Sequence, residues 1–322
     1  MWLHKVKGSL QSEDSSTPSS IEGTYRVMKV YWDRGKHVEE GRILVLADSS
    51  GELEVFLPGQ QSRHWFEEQK PYQLQLRIDR NQDSPLLQVD PESIQSAIEY
   101  NPVSLITKNW TPRPDGIIKL VALYQSLQTD SIKKFWQDVF TDELWLRLFL
   151  SLPASRECHH SFPGGLFVHS LEVADNTQAA LLRAENLTDL EKDVAMTIAL
   201  LHDATKTVAS VGYPARWKIP FVSWQHERYL PYFLASALLQ LKERDIDTWA
   251  TMIRMLDDYI RPKEQLNSPL TEVIRHSDHL SAHLEARQTQ REQNGGYRNW
   301  TKVCGRLHWG ATNQAMTVQK ID

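Results

Sequence analysis

The sequence predicts an α+β protein of two domains, a small closed five-stranded β-barrel followed by an all-α domain. Three observations carry this expectation. The 322 residues suffice for about two domains at roughly 100–200 residues each. Apolar and polar residues alternate with period two between about 22 and 92, as half-buried strands require. Beyond 116 the period changes to the 3.6 residues of amphipathic helices.

Residues 1–21 read as a flexible segment, since Ser9 to Ser20 is polar and has little to bury. Residues 22–100 form the barrel. Its strands are Thr24–Trp32, Arg42–Asp48, Glu52–Leu57, Tyr72–Ile78 and Leu86–Val89, with a helix near 61–69 between the third and fourth. Ser49-Ser50-Gly51 makes the turn between the second and third strands. This strand order and its Asp48–Val55 hairpin resemble the OB-fold. The resemblance implies a module for single-stranded RNA or DNA, held by exposed aromatic and basic side chains. Tyr25, Trp32, Arg34 and Arg42 are the candidate contacts. Packing of Tyr25 and Trp32 in the core or rim is the competing reading.

Residues 101–116, with Pro102, Pro112 and Pro114, read as a linker. The helical domain follows over 117–290. Leu120, Leu123, Tyr124 and Leu127 recur at helical spacing, as do Phe135, Trp136 and Phe140, then Leu144, Trp145, Leu148 and Phe149. Thr188 followed by Glu191 is a capping box for a helix ending near Leu201. Ser268-Pro269 opens another helix, with proline in its first turn. The segment 291–322 is basic and aromatic, and Arg298, Trp300, Lys302 and Arg306 are candidate strand contacts by counterion release and base stacking. A basic surface segment packing its tryptophans is equally consistent with it.

Composition narrows the function classes. A net charge of −5 argues against a uniformly basic protein but leaves room for a local basic groove. Two cysteines are too few for a disulfide framework, so a reducing cytoplasm is expected. Cys158 reads as a buried structural thiol, because no Cys-His-Asn arrangement accompanies it. No apolar run approaches the ~20 residues of a membrane span, and the first residues lack a signal peptide's apolar core. A membrane partner is not expected; homo-oligomerisation is left open.

The chemistry concentrates in three pieces: Cys158-His159-His160 leading through Gly164-Gly165-Leu166 to His169, then His202-Asp203 with Lys206, and finally Asp278. Adjacent His202 and Asp203 lie about 100° apart on a helix, so both reach one ion only where a helix ends. Imidazole with carboxylate suits divalent Mn, Mg, Fe, Co or Ni. His169 and Asp278 would bring the ligands to four and leave positions for water and a phosphate oxygen. Lys206 would set a cation against the phosphate.

These residues resemble the HD superfamily of metal-dependent phosphohydrolases, whose H…HD…D pattern maps onto His169, His202-Asp203 and Asp278. The His-His, Gly-Gly-Leu and His spacing is similar to two narrower groups. One is the YhaM-type 3′–5′ exonucleases, which join an OB domain to an HD domain. The other is the TraI_2 domain of conjugative relaxases. The resemblance implies a divalent-metal phosphodiesterase acting on single-stranded nucleic acid as a 3′–5′ exonuclease, with His159, His160 and Lys206 in catalytic roles. It departs from the family in two places. Thr205 replaces the usual glycine before Lys206, and a later His-His pair is missing. His226 and Asp257, the latter in Leu256-Asp257-Asp258-Tyr259, are the candidates for a second ion. The alternatives are a catalytically weak or inactive nucleic-acid-binding accessory protein of a mobile element and a nucleotide phosphohydrolase.

Overall fold

The computed structural model describes residues 20–32, 40–59, 66–79, 86–155, 158–211, 216–217, 226–261, 268–293, 300–303 and 306–309. The chain divides into two compact units, residues 1–125 and 126–322.

In the first unit, β1 (Ser20–Trp32), β2 (Gly41–Asp48), β3 (Gly51–Pro58), β4 (Lys70–Asp79) and β5 (Leu86–Val89) close a barrel. The order is β1-β2-β3-β5-β4, and β1 pairs back onto β4. All pairings are antiparallel except β3 with β5, which meet in parallel at Phe56 and Gln88. A two-residue β6 (Gln95–Ser96) extends β4. The hairpin turn is set by Asp48, whose Oδ1 accepts from the Ser50 amide at 2.7 Å. Tyr25, Val27, Leu44, Leu46, Leu57, Leu74 and Leu76 fill the interior, so this is an OB-like barrel with a packed core.

Several expectations change here. Residues 1–19 lie outside the described residues, but Ser20 and Ile21, expected in the flexible segment, already belong to β1. Of the helix expected near 61–69, positions 60–65 lie outside the described residues and 66–69 are non-helical. The stretch 101–116 is not a free linker. It forms short 3-10 turns at Pro102–Leu105 and Lys108–Trp110 and buries Val103, Leu105, Ile106 and Trp110. Arg26 explains why. It is buried in β1, donates from Nε to Leu105 O at 3.2 Å, and lays its guanidinium 4.5 Å from the Trp110 ring. A buried guanidinium needs such partners. Helix α1 (Asp115–Ser126) falls largely within this unit, so the second unit begins near 126 rather than at 117.

The second unit comprises α2 (Asp130–Phe140), α3 (Glu143–Ser151), α4 (Gly165–Leu181), α5 (Asp189–Leu201), the one-turn α6 (Lys206–Ala209), the short strands β7 (Ser210–Val211) and β8 (Arg216–Trp217), α7 (Leu230–Phe233), α8 (Ala235–Arg244), α9 (Ile246–Ile260), α10 (Pro269–Gln293), and the hairpin β9 (Trp300–Val303) and β10 (Arg306–Trp309). The Thr188–Glu191 capping box is formed at α5. α10 runs three residues past the expected end of the domain at 290. α4 packs between α5 and α10. Both flanking helices therefore face one helix, and side chains from all three can meet. Among the described residues, no helix is long and apolar enough to cross a membrane.

Candidate metal centre

The entry to α4 is built by glycine. Gly164 adopts φ 75° at the N-cap, a left-handed conformation that costs other residues more. A Cβ on Gly165 would meet the His160 carbonyl oxygen at 2.0 Å. His160 itself is left-handed, with φ 46°. Its amide donates to Glu285 Oε2 at 2.7 Å and its carbonyl accepts from the Ala154 amide at 3.0 Å. The turn is thus clamped from both sides, and it carries the His160 imidazole inward to full burial.

Three helices then converge. α4 supplies His169, and α10 supplies Asp278. α5 ends at Leu201, with His202 as its C-cap and Asp203 in the following turn. That turn lets adjacent side chains reach a common point. His169 Nε2 lies 3.1 Å from Asp278 Oδ1 and 3.5 Å from Asp203 Oδ2. His202 Nε2 lies 3.4 Å from Asp203 Oδ2 and 3.7 Å from Asp278 Oδ1. Ligands about 2.1 Å from a shared ion sit roughly 3.0–3.4 Å apart in octahedral or tetrahedral shells, so these spacings approximate a coordination shell.

Hydrogen bonding supports a cation there. Ala199 O can only accept, so the 2.8 Å contact with His202 Nδ1 puts the proton on Nδ1 in the neutral ring and leaves the Nε2 lone pair aimed inward. His169 Nδ1 lies 2.9 Å from Ser281 Oγ, whose hydroxyl donates to Glu172 Oε2 at 2.7 Å. The same logic directs the His169 Nε2 lone pair to the same point. Both Nε2 atoms are buried and face only carboxylate oxygens, Asp278 Oδ1 for His169 and Asp203 Oδ2 for His202, an arrangement that is costly unless a proton or a metal ion lies between them.

The carboxylates favour positive charge at this point. Burial opposes a charged His202, but Asp203 and Asp278 overcome it and raise its pKa to about 9, so without a metal a proton occupies the Nε2 position that an ion would take. On His169 burial prevails, and the pKa falls despite the same carboxylates. Burial would raise Asp203, yet Lys206 first and then His202 and His226 hold it well below the usual carboxylate range. Burial likewise opposes charge on Asp278, but His169 and His202 hold its pKa low.

The other candidates are placed as follows. Lys206 Nζ donates to Asp203 Oδ2 at 2.5 Å, and His226 Nε2 to the opposite oxygen, Oδ1, at 2.5 Å. Thr205 donates to the His226 carbonyl at 2.9 Å and so holds that residue over Asp203. The His159 and His160 rings lie 5.0 and 5.1 Å from His169, and each has a buried Nδ1 without a partner. Burial, reinforced by His169 and Lys206, lowers His159 to about 3. Asp257 is not brought in. It pairs with Arg261 on an exposed face of α9, one helical turn along. Asp258 instead caps α10, accepting from the Ser268 amide and from Thr271 Oγ1. Cys158 is exposed rather than buried.

Sequence reasoning missed Glu172, Ser281 and Tyr259. Tyr259 is buried, and burial followed by the charges of Asp278, Glu227 and Asp203 pushes its pKa well up. The spacing Glu172 = His169 + 3 and Ser281 = Asp278 + 3 was the available signal, since i, i+3 residues share a face.

On the barrel, Tyr25 is fully buried and cannot stack on a base; β1 turns it into the core. Trp32 is 56% exposed, and the Arg42 guanidinium lies 4.7 Å from its ring. Arg34 and Arg298 lie outside the described residues. Trp300, Lys302 and Arg306 lie on the β9–β10 hairpin, with side chains outside the described set.

Residues 104–210 match the family model TraI_2, described as "Putative helicase". The matched stretch is about a third of the chain. It contains His159, His160, Gly164, Gly165, His169, His202, Asp203 and Lys206, but not Asp278. No curated protein and no solved structure matches the chain.

Proposed function

We propose that this protein is an HD-type, divalent-metal-dependent phosphodiesterase acting on single-stranded nucleic acid. The carrying observation is the convergence of His169, His202, Asp203 and Asp278, with two buried imidazole Nε2 atoms aimed at one point. A divalent ion there would polarise a phosphoryl oxygen and generate a nucleophile from water near neutral pH. The chain's own residues do the rest. His159 and His160 present unpartnered nitrogens beside His169. Lys206 and His226 hold Asp203 ionised. Trp32 with Arg42 on the barrel is the candidate stacking platform. The OB-like barrel ahead of the helical unit favours a strand over a mononucleotide, and a 3′–5′ exonuclease similar to the YhaM type is the reaction this order suggests.

A second reading has its own observation. Lys206 and His226 occupy both oxygens of Asp203, so the protein's own donors already fill that carboxylate. Together with the TraI_2 match, this suits an accessory protein of a mobile element that binds strands without cutting them. The test incubates end-labelled single-stranded RNA and DNA with the full chain and Mn²⁺, beside Asp203→Ala. A product ladder lost in the variant supports the enzyme. Strand binding with no ladder sinks it in favour of the second reading, and an equal ladder from both proteins sinks it as well, since the cutting then does not depend on Asp203.

A further inference from the structure

Glu172 is half-exposed on α4, one turn beyond His169, yet its Oε2 alone accepts two hydrogen bonds. One comes from Ser281 Oγ at 2.7 Å and the other from His160 Nε2 at 3.2 Å. Ser281 in turn accepts from His169 Nδ1 at 2.9 Å. A carboxylate oxygen only accepts and a hydroxyl has one proton, so the direction of every bond in this chain is determined. The consequence is that two imidazoles from different segments are oriented from a single atom.

We propose that Glu172 and Ser281 form a positioning relay that locks His169 with its proton on Nδ1 and His160 with its proton on Nε2. Neither residue touches the point where the four ligand atoms meet. Each acts through another side chain. In the locked forms the His169 Nε2 lone pair faces Asp203 and Asp278, and the His160 Nδ1 lone pair is the buried, unpartnered one. Relaxing either tautomer would turn a proton toward the site and remove a donor atom from it. The backbone contributes to the same end. Gly165 permits the close approach of the His160 carbonyl, and Glu285 holds the His160 amide, so the turn that carries the ring is fixed within reach of Glu172.

The relay's effect on metal affinity rests on the metal reading above; the tautomers do not. The test uses the full chain as wild type, Glu172→Ala, Ser281→Ala, the double variant and Glu172→Gln. Histidine tautomers are read by ¹⁵N NMR without added metal, Mn²⁺ affinity by calorimetry, and folding by circular dichroism. In wild type, His169 is protonated on Nδ1 and His160 on Nε2. Glu172→Ala releases both tautomers, whereas Ser281→Ala releases only that of His169. Each lowers Mn²⁺ affinity about 10–100-fold, as loss of an outer partner does. The double variant loses no more than the worse single one, because both act along one chain. Glu172→Gln restores both tautomers, since one carboxamide oxygen can accept both bonds. Unchanged tautomers in the two alanine variants overturn the relay, and so does a double variant that loses the product of the two. If wild type takes up no Mn²⁺, the metal reading fails and the tautomers alone judge the relay.

Discussion

Gly165→Ala separates local propensity from tertiary packing at the turn that delivers His160. Helix propensity alone favours the change by at most the ~1 kcal/mol that separates alanine from glycine in a helix interior, since Gly165 is the first residue of α4. The structure predicts the opposite. The new Cβ would lie 2.0 Å from the His160 carbonyl oxygen and 2.8 Å from its carbon, roughly 1 Å or more inside van der Waals contact. Both are backbone atoms, so no side-chain rotation relieves the clash. The oxygen also accepts from the Ala154 amide, a bond worth about 1 kcal/mol. Overpacking of this kind costs about 1–3 kcal/mol. With that bond added and the propensity gain subtracted, the net loss is about 1–3 kcal/mol. At about 2–4 °C per kcal/mol for 150–250 residues, the melting temperature falls by roughly 2–12 °C. Differential scanning calorimetry of the full chain, following the transition of the helical unit, measures this. A variant as stable as wild type, or stabilised, would refute the reasoning.

Three further outcomes are expected. Thr205→Val leaves the His226 carbonyl without its donor and lowers the melting temperature, at a cost of about 1–3 kcal/mol; an unchanged melt would show that Thr205 holds nothing. Asp245 accepts from Ser131 Oγ, from Thr248 Oγ1 and from the Thr248 amide, which hold its pKa down to about 2. Its contribution is therefore present above the unfolded value of about 3.9 and lost as pH falls toward 2; Asp245→Asn should flatten that part of the stability profile in urea titrations between pH 5 and 2, and an unaltered slope contradicts it. Trp32→Ala removes the exposed ring beside Arg42 and should weaken single-strand binding by about 1–3 kcal/mol, read by fluorescence anisotropy; equal affinity would move the strand elsewhere.

Local patterns were legible because they act over a few residues. Tyr72, Leu74 and Leu76 alternate in the sequence and are buried in β4. Thr188 and Glu191 cap α5 reciprocally, as their spacing announces. A shared ion at adjacent His202 and Asp203 would need a helix end at that point, and α5 stops at Leu201. The barrel was legible as strands, but not Tyr25, whose alternation fits either face of a curved sheet. The stretch 101–116 looked unstructured from its prolines, because its partner Arg26 lies 79 positions before Leu105.

What the chain alone determined is thus the two architectures, their order, and the residue types able to gather around a cation. Only the tertiary structure decided which of those residues share a point. α4 lies between α5 and α10, and this sets His169 beside Asp278 and Ser281 across more than a hundred positions. The same packing leaves Asp257 outside, paired with Arg261. The physical reason is range. Periodicity and caps are satisfied within one or two turns, whereas a buried imidazole is satisfied by whatever helix packs against it, and no spacing along the chain encodes that neighbour.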